Sequence, residues 1–155
     1  MDISSKVDVD APAKYIFDCL SDFQTFEKAA LRRGADVQRV DELDALDVGA
    51  CWEVSFTFRG KTRDVNVELT EFAAPELACY TASGQGISAT MRIELVPMSK
   101  NRTRMTNTVN MEAKTLPARL LLQSVKLARG QVEKRLDGMM EDFGRQLAQR
   151  HSQLA

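Results

Sequence analysis

The spacing of apolar residues changes once along this chain, and that change limits the folds open to it more than any other feature. Between Cys51 and Met111 five apolar runs follow one another, and apolar and polar residues alternate along most of them. Beyond Leu116 apolar residues recur every three or four positions as far as Leu147. Alternation predicts strands with one buried face, and the wider spacing predicts a helix. We therefore expect an antiparallel meander covered on one face by a C-terminal helix of about 34 residues, or ~50 Å.

Residues 2–9 alternate in the same way and predict a further strand ahead of the meander. Pro12 suits the first turn of a helix, and the apolar spacing from Ile16 to Phe26 predicts two short helices with a kink between them. Gly34 suits the end of the second helix. Residues 35–48 are ambiguous, because their apolar residues stand three apart, as in a helix, while their many charges also suit an edge strand or a loop.

Length, charge and cysteine content exclude several classes of protein. A chain of 155 residues predicts one domain over 1–155, and we expect its polar tail, 149–155, to fray. The net charge of -1 predicts no nucleic-acid partner and gives no support to binding at a membrane surface. No apolar run approaches the ~20 residues of a membrane span, and the N-terminus lacks a signal-peptide pattern, so we expect a cytoplasmic protein. The three cysteines are widely spaced, which favours free thiols.

Several short motifs stand at the starts and ends of the predicted elements. They are Val7-Asp8-Val9-Asp10-Ala11-Pro12, the segment from Tyr15 to Asp22, Gly49 with Trp52, and Val67 to Phe72 followed by Pro75 and Leu77. Together with the order of elements, these motifs resemble the START-like superfamily, also called SRPBCC or Bet v 1-like. They mark turns and core positions, so they support a fold better than a function.

The resemblance implies an α+β helix-grip fold. In this fold a curved antiparallel sheet of six to seven strands wraps around a long C-terminal helix, and two short helices follow the first strand. The resemblance also predicts a strand, and not a helix, for residues 35–48. Members of the superfamily hold a cavity between sheet and helix, where they bind lipids, sterols, polyketides, quinones or hydrophobic hormones, and some are aromatase/cyclases.

The sheet face that would line such a cavity is apolar except for Asn107. A buried amide needs hydrogen-bond partners, so Asn107 could orient a polar group of a ligand or bond a neighbouring strand or water. Tyr80 offers an amphipathic ring, and methionines suit an adaptable pocket as well as an ordinary core. The candidate cavity residues are Trp52, Phe56, Tyr80, Met91, Met105, Asn107 and Leu121.

Basic residues gather at two places, where they form either a solvated rim or a contact for an anionic group at the cavity mouth. The two groups are Arg59, Lys61 and Arg63 around one hairpin, and Arg92, Arg102 and Arg104 on or near the last two strands.

Residues that usually carry catalysis are scarce in this sequence. His151 is the only histidine, and it lies in the polar tail with no carboxylate three or four residues before it. We therefore expect no metal site, no cofactor and no histidine-based catalytic residues. The predicted function is binding or transport of a hydrophobic small-molecule ligand. Two alternatives stay open: a cyclase/dehydratase-type enzyme acting on a polyketide-like substrate, and a protein-interaction module or homodimer.

Overall fold

The computed structural model describes residues 1–58 and 60–154, so Arg59 and Ala155 lie outside the described residues. Its elements are β1 (Asp2–Val9), α1 (Ala13–Leu20), α2 (Phe23–Arg32), β2 (Asp36–Arg39), β3 (Cys51–Phe58), β4 (Lys61–Ala73), β5 (Leu77–Gly84), β6 (Ile87–Ser99), β7 (Arg102–Ala113), α3 (Leu116–Leu127) and α4 (Arg129–Ser152).

The strands form one antiparallel sheet in the order β1-β7-β6-β5-β4-β3-β2. Strands β2 to β7 form a meander. Strand β1, the first in the sequence, pairs with β7 and forms the edge of the sheet opposite β2. The pairing of β4 with β5 shifts register between Leu69 and Glu71, and such an irregularity bends the strand that carries it. The predicted α+β helix-grip fold, with its seven-stranded sheet and two short helices after the first strand, is confirmed.

Helix α2 begins at a capping aspartate. The Asp22 carboxylate accepts hydrogen bonds from the backbone N–H of Thr25, at 3.4 Å, and from its hydroxyl, at 2.7 Å. This satisfies a backbone donor that a helix N-terminus otherwise leaves without a partner. Gly34 follows the helix with φ of 88°, a conformation that glycine adopts without steric cost.

The strand that the resemblance implies over residues 35–48 is present only in part, and no helix forms in this segment. Strand β2 covers four residues of this segment, and the chain then runs irregularly to Ala50. Asp41 organises the loop, because its carboxylate accepts hydrogen bonds from the backbone N–H groups of Leu43 and Cys51, each at 2.9 Å, and from Arg39 Nε at 2.8 Å. These hydrogen bonds hold the backbone of the loop in a non-helical conformation.

The C-terminal helix is interrupted, in contrast to the single helix that the sequence predicts. Ala128 stands between α3 and α4 with φ of -97° and ψ of 18°, and Arg129 then bonds the Asp2 carbonyl oxygen at 2.9 Å and Glu133 at 2.7 Å. The structure continues α4 as a helix to Ser152, through part of the tail predicted to fray.

Helix α4 lies mainly on β1. At Gly144 a Cβ atom would stand 3.2 Å from Val9 Cγ2 and 3.4 Å from Val7 Cγ2, so the absence of a side chain allows this close approach. Leu147 and Met140 are buried on the same helix. Helix α4 covers the β1 side of the sheet, so it does not cover the concave faces of β3 and β4. Helices α2 and α3 lie over those faces instead.

Candidate ligand groove

The register of the sheet places the apolar residues of neighbouring strands on one concave face. Trp52 pairs with Val67, which pairs in turn with Ala82 on β5, and Val54 pairs with Val65. Side chains of directly paired residues point to the same side of a sheet. The alternation seen in the sequence therefore becomes a continuous apolar surface across β3, β4 and β5.

A groove of about 440 Å³ lies between α2 and this surface. Its sides are almost entirely hydrocarbon, and Glu27 and Arg33 are the charged residues among the described residues that line it. The full lining is Phe23, Phe26, Glu27, Ala29, Ala30, Arg33, Ala35, Val37, Trp52, Val54 and Val67. This volume is within the range of small-molecule sites, which runs from ~300 to ~1,000 Å³.

Trp52 lies at the base of the groove and connects it to the protein core. Its side chain is only 2% exposed, and its ring stacks on that of Phe23 with centroids 4.5 Å apart and planes 23° apart. The indole Nε1 is buried and has no hydrogen-bond partner among the described residues. Phe23 also lies 6.1 Å from the Tyr80 ring, so aromatic side chains join α2 to both β3 and β5 of the sheet.

Arg39 and Asp41 form an ion pair beside Trp52, outside the residues that line the groove. The Arg39 guanidinium lies 6.0 Å from the centre of the Trp52 ring and donates to the Asp41 carboxylate at 2.8 Å. The hydrogen bond from Arg39, followed by that from the Cys51 backbone, holds the pKa of Asp41 well below its usual range. The Asp41 side chain is 8% exposed, so the ion pair is held in a fixed position.

A second cavity, of about 400 Å³, lies between α3 and the end of the β3–β4 hairpin. It combines apolar side chains of α3 with two cations, Lys61 and Arg63, from β4. The complete lining is Lys61, Arg63, Gln85, Pro117, Ala118, Leu120, Leu121 and Ser124.

The structure distributes the predicted cavity residues instead of bringing them together. Trp52 lines the α2 groove, whereas Leu121 lines the second cavity. Tyr80 and Met105 are buried in the core, and Met91 packs against it. Burial raises the pKa of Tyr80 to about 12, so its phenol stays protonated at neutral pH.

Two predicted residues lie on the concave face without lining either cavity. Phe56 is half-buried opposite Arg63. Asn107 is also half-buried, but its Oδ1 is buried and has no hydrogen-bond partner among the described residues. Its strand neighbour Ser5 bonds Asp137 on α4. The amide is therefore the polar exception that the sequence indicated, on the part of the face nearest α4.

Sequence reasoning missed the contribution of α2 to the groove. Phe23, Phe26 and Ala30 recur at three- and four-residue spacing and line it, so the signal was present as an apolar helix face. That spacing shows that a helix has an apolar face without showing what the face covers. We expected the cavity beneath the C-terminal helix, where the β1 side of the sheet is instead packed.

The arrangement offers little nucleophilic or acid–base chemistry. Burial, followed by the nearby Glu71 carboxylate, raises the pKa of the Cys79 thiol, and burial with Glu68 does the same for the pKa of Cys51. Both thiols are therefore protonated at neutral pH and react slowly.

All three cysteines are free. His151 packs against Tyr15, with ring centroids 5.1 Å apart. Residues 1–58 and 60–154 contain no cluster of three metal-binding side chains.

The basic residues near the last strands do not reach either cavity. Arg92 pairs with Glu94 at 2.5 Å, and Arg104 pairs with Asp8 at 2.8 Å. Arg102 also approaches Asp8, at 3.6 Å. Of the other basic group, Lys61 and Arg63 line the second cavity, and Arg59 lies outside the described residues.

The family model described as "Polyketide cyclase / dehydrase and lipid transport" matches residues 1–151 of the sequence. The chain belongs to this family. As a member of the polyketide cyclase/dehydrase and lipid transport family, it has the fold that its motifs and order of elements imply. No protein among those with curated records matches its sequence.

Solved structures with the same fold include three that match nearly all of this family member. TTHA0849 from Thermus thermophilus is 13% identical with a TM-score of 0.69, covering 95% of this chain and 97% of that one. A START superfamily protein from Mycobacterium smegmatis is 16% identical with a TM-score of 0.62, covering 99% of each chain. The Zhui aromatase/cyclase from Streptomyces sp. R1128 is 14% identical with a TM-score of 0.63, covering 91% and 93%. At these identities the likeness establishes the fold alone.

No helix in the described part of this family member is long and apolar enough to cross a membrane.

Proposed function

We propose that this protein binds a hydrophobic small molecule in the groove between α2 and the concave face of β2, β3 and β4. The observation that carries this proposal is the groove itself, with a volume of about 440 Å³ and a lining that is apolar except for Glu27 and Arg33. Burial of apolar ligand surface against such a lining is favourable at ~25 cal/mol per Å². Membership of a family described by both cyclase/dehydrase activity and lipid transport supports a ligand of this class.

The ligand that suits this groove is largely apolar and contains a flat or branched hydrocarbon body. Phe23 and Trp52 stack at one side, which offers aromatic surface, while Ala29, Ala30 and Ala35 leave room on the other. Lipids, polyketides and quinones each satisfy these requirements. Glu27 and Arg33 would contact the polar end of such a molecule.

Trp52 provides a direct test, because it is the only tryptophan in the chain and lines the groove. We expect N-phenyl-1-naphthylamine, a neutral apolar dye, to bind with saturation and to quench Trp52 emission by energy transfer. Ala30→Phe places a ring in the groove and should weaken dye binding at least about tenfold, since it removes space for the ligand. Leu31→Phe adds a ring to the neighbouring exposed position and should leave binding unchanged.

Equal dye affinity in the two variants would place the dye elsewhere and overturn the proposal. Native mass spectrometry of the gently purified protein complements this test by identifying a ligand that co-purifies. A ligand lost in Ala30→Phe and retained in Leu31→Phe supports binding in this groove.

The cyclase/dehydratase alternative receives less support from the site. Such a reaction needs proton-transfer groups beside the substrate. The two ionisable side chains that line the groove belong to α2 and to the residue that caps it, and the sheet surface beneath the ligand carries hydrocarbon. The discriminating measurement is turnover of a polyketide-like substrate, with Glu27→Gln as the variant that should abolish it if this alternative holds.

A further inference from the structure

Helix α3 has apolar residues on its solvent side as well as on its buried side. Its solvent-side leucines are Leu116, Leu120 and Leu127, which are 69%, 61% and 92% exposed. At ~100° of rotation per residue, these three leucines fall within an arc of about 40°. Ala118 and Leu122 occupy the opposite, buried side. The leucines therefore form one exposed stripe along the helix, which we call the leucine stripe.

The leucine stripe lies in a segment of the chain whose charged residues are all cationic. Between Glu112 and Glu133 there are four cationic residues and no carboxylate, although the chain as a whole carries a net charge of -1. The cations in this segment are Lys114, Arg119, Lys126 and Arg129. Net charge therefore conceals a local positive segment that coincides with the leucine stripe.

Cations flank the leucine stripe on both sides. Arg119 and Lys126 each precede a stripe leucine by one residue, so both project from the same side of α3. Lys61 and Arg63 lie across the second cavity, on its other side. Arg119, Lys126 and Lys61 make no ion pair within the described residues. Their charges are therefore available to an external anionic surface.

We propose that the leucine stripe and its flanking cations dock this protein on the surface of an anionic lipid bilayer. Leucines that enter the headgroup–acyl boundary while cations meet lipid phosphates on either side are the pattern of an interfacial helix. A second copy of the chain fits less well, because two such faces would oppose like charges. Protein interfaces are typically enriched in aromatic residues at their centre, which the stripe lacks. The proposal does not rest on ligand binding in the α2 groove.

Vesicle co-sedimentation of the full chain tests this docking. We expect binding to phosphatidylcholine vesicles that contain phosphatidylserine, weak binding to phosphatidylcholine alone, and release at high salt, because salt screens the charges. Combined Leu116→Gln, Leu120→Gln and Leu127→Gln should lower the partition coefficient about 100-fold or more. The matched control changes three other exposed leucines, Leu31→Gln, Leu43→Gln and Leu154→Gln, and should bind like the unmodified protein.

A second pair of variants tests the cations. Combined Arg119→Gln and Lys126→Gln should reduce partitioning onto phosphatidylserine vesicles about 30-fold, at ~1 kcal/mol per cation. Combined Lys134→Gln and Arg135→Gln removes the same charge from the exposed part of α4 and should have little effect. Circular dichroism checks that each variant retains its fold.

Three outcomes would overturn the proposal. Equal binding to neutral and anionic vesicles would remove the role of charge, and equal loss in the stripe and control leucine variants would remove the role of the stripe. The third is absence of vesicle binding together with a dimer, seen by light scattering, that the stripe variants dissociate. That result would assign the surface to a second copy of the chain.

Discussion

Phe23 on α2 stacks against Trp52 on β3 at 4.5 Å, and this contact fixes the helix over the sheet. No residue of α2 is fully buried, so the helix depends on a few such contacts for its position. Phe26 adds a contact with Phe143 of α4 at 6.1 Å, on a side chain that is 40% exposed.

Phe23→Ala should therefore loosen α2 more than Phe26→Ala. We expect the first substitution to lower the free energy of unfolding by about 2–3 kcal/mol, since it removes an aromatic pair, and the second by about 1 kcal/mol. Urea titration followed by circular dichroism measures both. Trp52 emission should shift to the red in Phe23→Ala alone, and an unchanged spectrum would contradict the stacking contact as the anchor of α2.

Trp52→Phe should destabilise the protein less than substitutions of a core aromatic residue usually do. The indole Nε1 has no hydrogen-bond partner in the described part of the chain, so its removal breaks no hydrogen bond and relieves an unsatisfied buried donor. We expect a loss of about 1–2 kcal/mol from reduced packing, against about 3–5 kcal/mol for Trp52→Ala. Thermal unfolding measures the two. Similar losses in both variants would mean that the N–H has an acceptor.

Gly144→Ala should destabilise the protein relative to Gly138→Ala. Both glycines are within α4, where alanine is favoured over glycine by ~1 kcal/mol. A Cβ at position 144 would meet Val9 Cγ2 at 3.2 Å, whereas nothing lies within 4 Å of one at position 138. We expect Gly138→Ala to raise the melting temperature and Gly144→Ala to lower it. A rise in both would show that α4 is free to move away from β1.

The Arg39–Asp41 pair should make stability depend on pH in the acid range. The folded pKa of Asp41 is depressed below its ordinary value of 3.8, so the carboxylate contributes stability that is fully present above that value and is lost as pH falls toward the folded pKa. Asp41→Asn should therefore be less stable than the unmodified protein at neutral pH, and the difference should shrink below about pH 4. Asp44→Asn, on the same loop, is the control. A pH-independent difference would contradict the depressed pKa.

Several elements of the fold were predictable because they rest on repeating patterns. Alternation identifies strands β3 to β7, and the short turns between them leave an antiparallel meander as the simplest arrangement. The resemblance to the START-like superfamily favoured a strand over a helix for residues 35–48, although the strand occupies only Asp36–Arg39. The rest of that segment depends on hydrogen bonds that the Asp41 carboxylate accepts from the backbone N–H groups of Leu43 and Cys51, and apolar periodicity does not record such bonds.

The site was less predictable, since it depends on which surfaces helices leave uncovered. Apolar spacing identifies the faces of α2 and of the C-terminal helices without showing where each face packs. The sequence therefore indicated Trp52 and Leu121 as cavity residues but not that they line separate cavities. Tyr80 and Met105 lie on the same concave face and are covered by packing, because α1, α2 and α4 close over their part of the core.

Ala128 divides the C-terminal helical segment into two helices that are anchored to different extents. Helix α4 packs closely on β1 at Gly144 and buries Leu147 and Met140. Helix α3 buries only Ala118 and Leu122, and the single non-helical residue Ala128 joins it to α4. Displacing α3 would break its contacts with β7 and α4 and widen the second cavity toward Lys61 and Arg63, while the contacts between α4 and β1 stay in place. Movement of α3 therefore does not require α4 to leave the sheet.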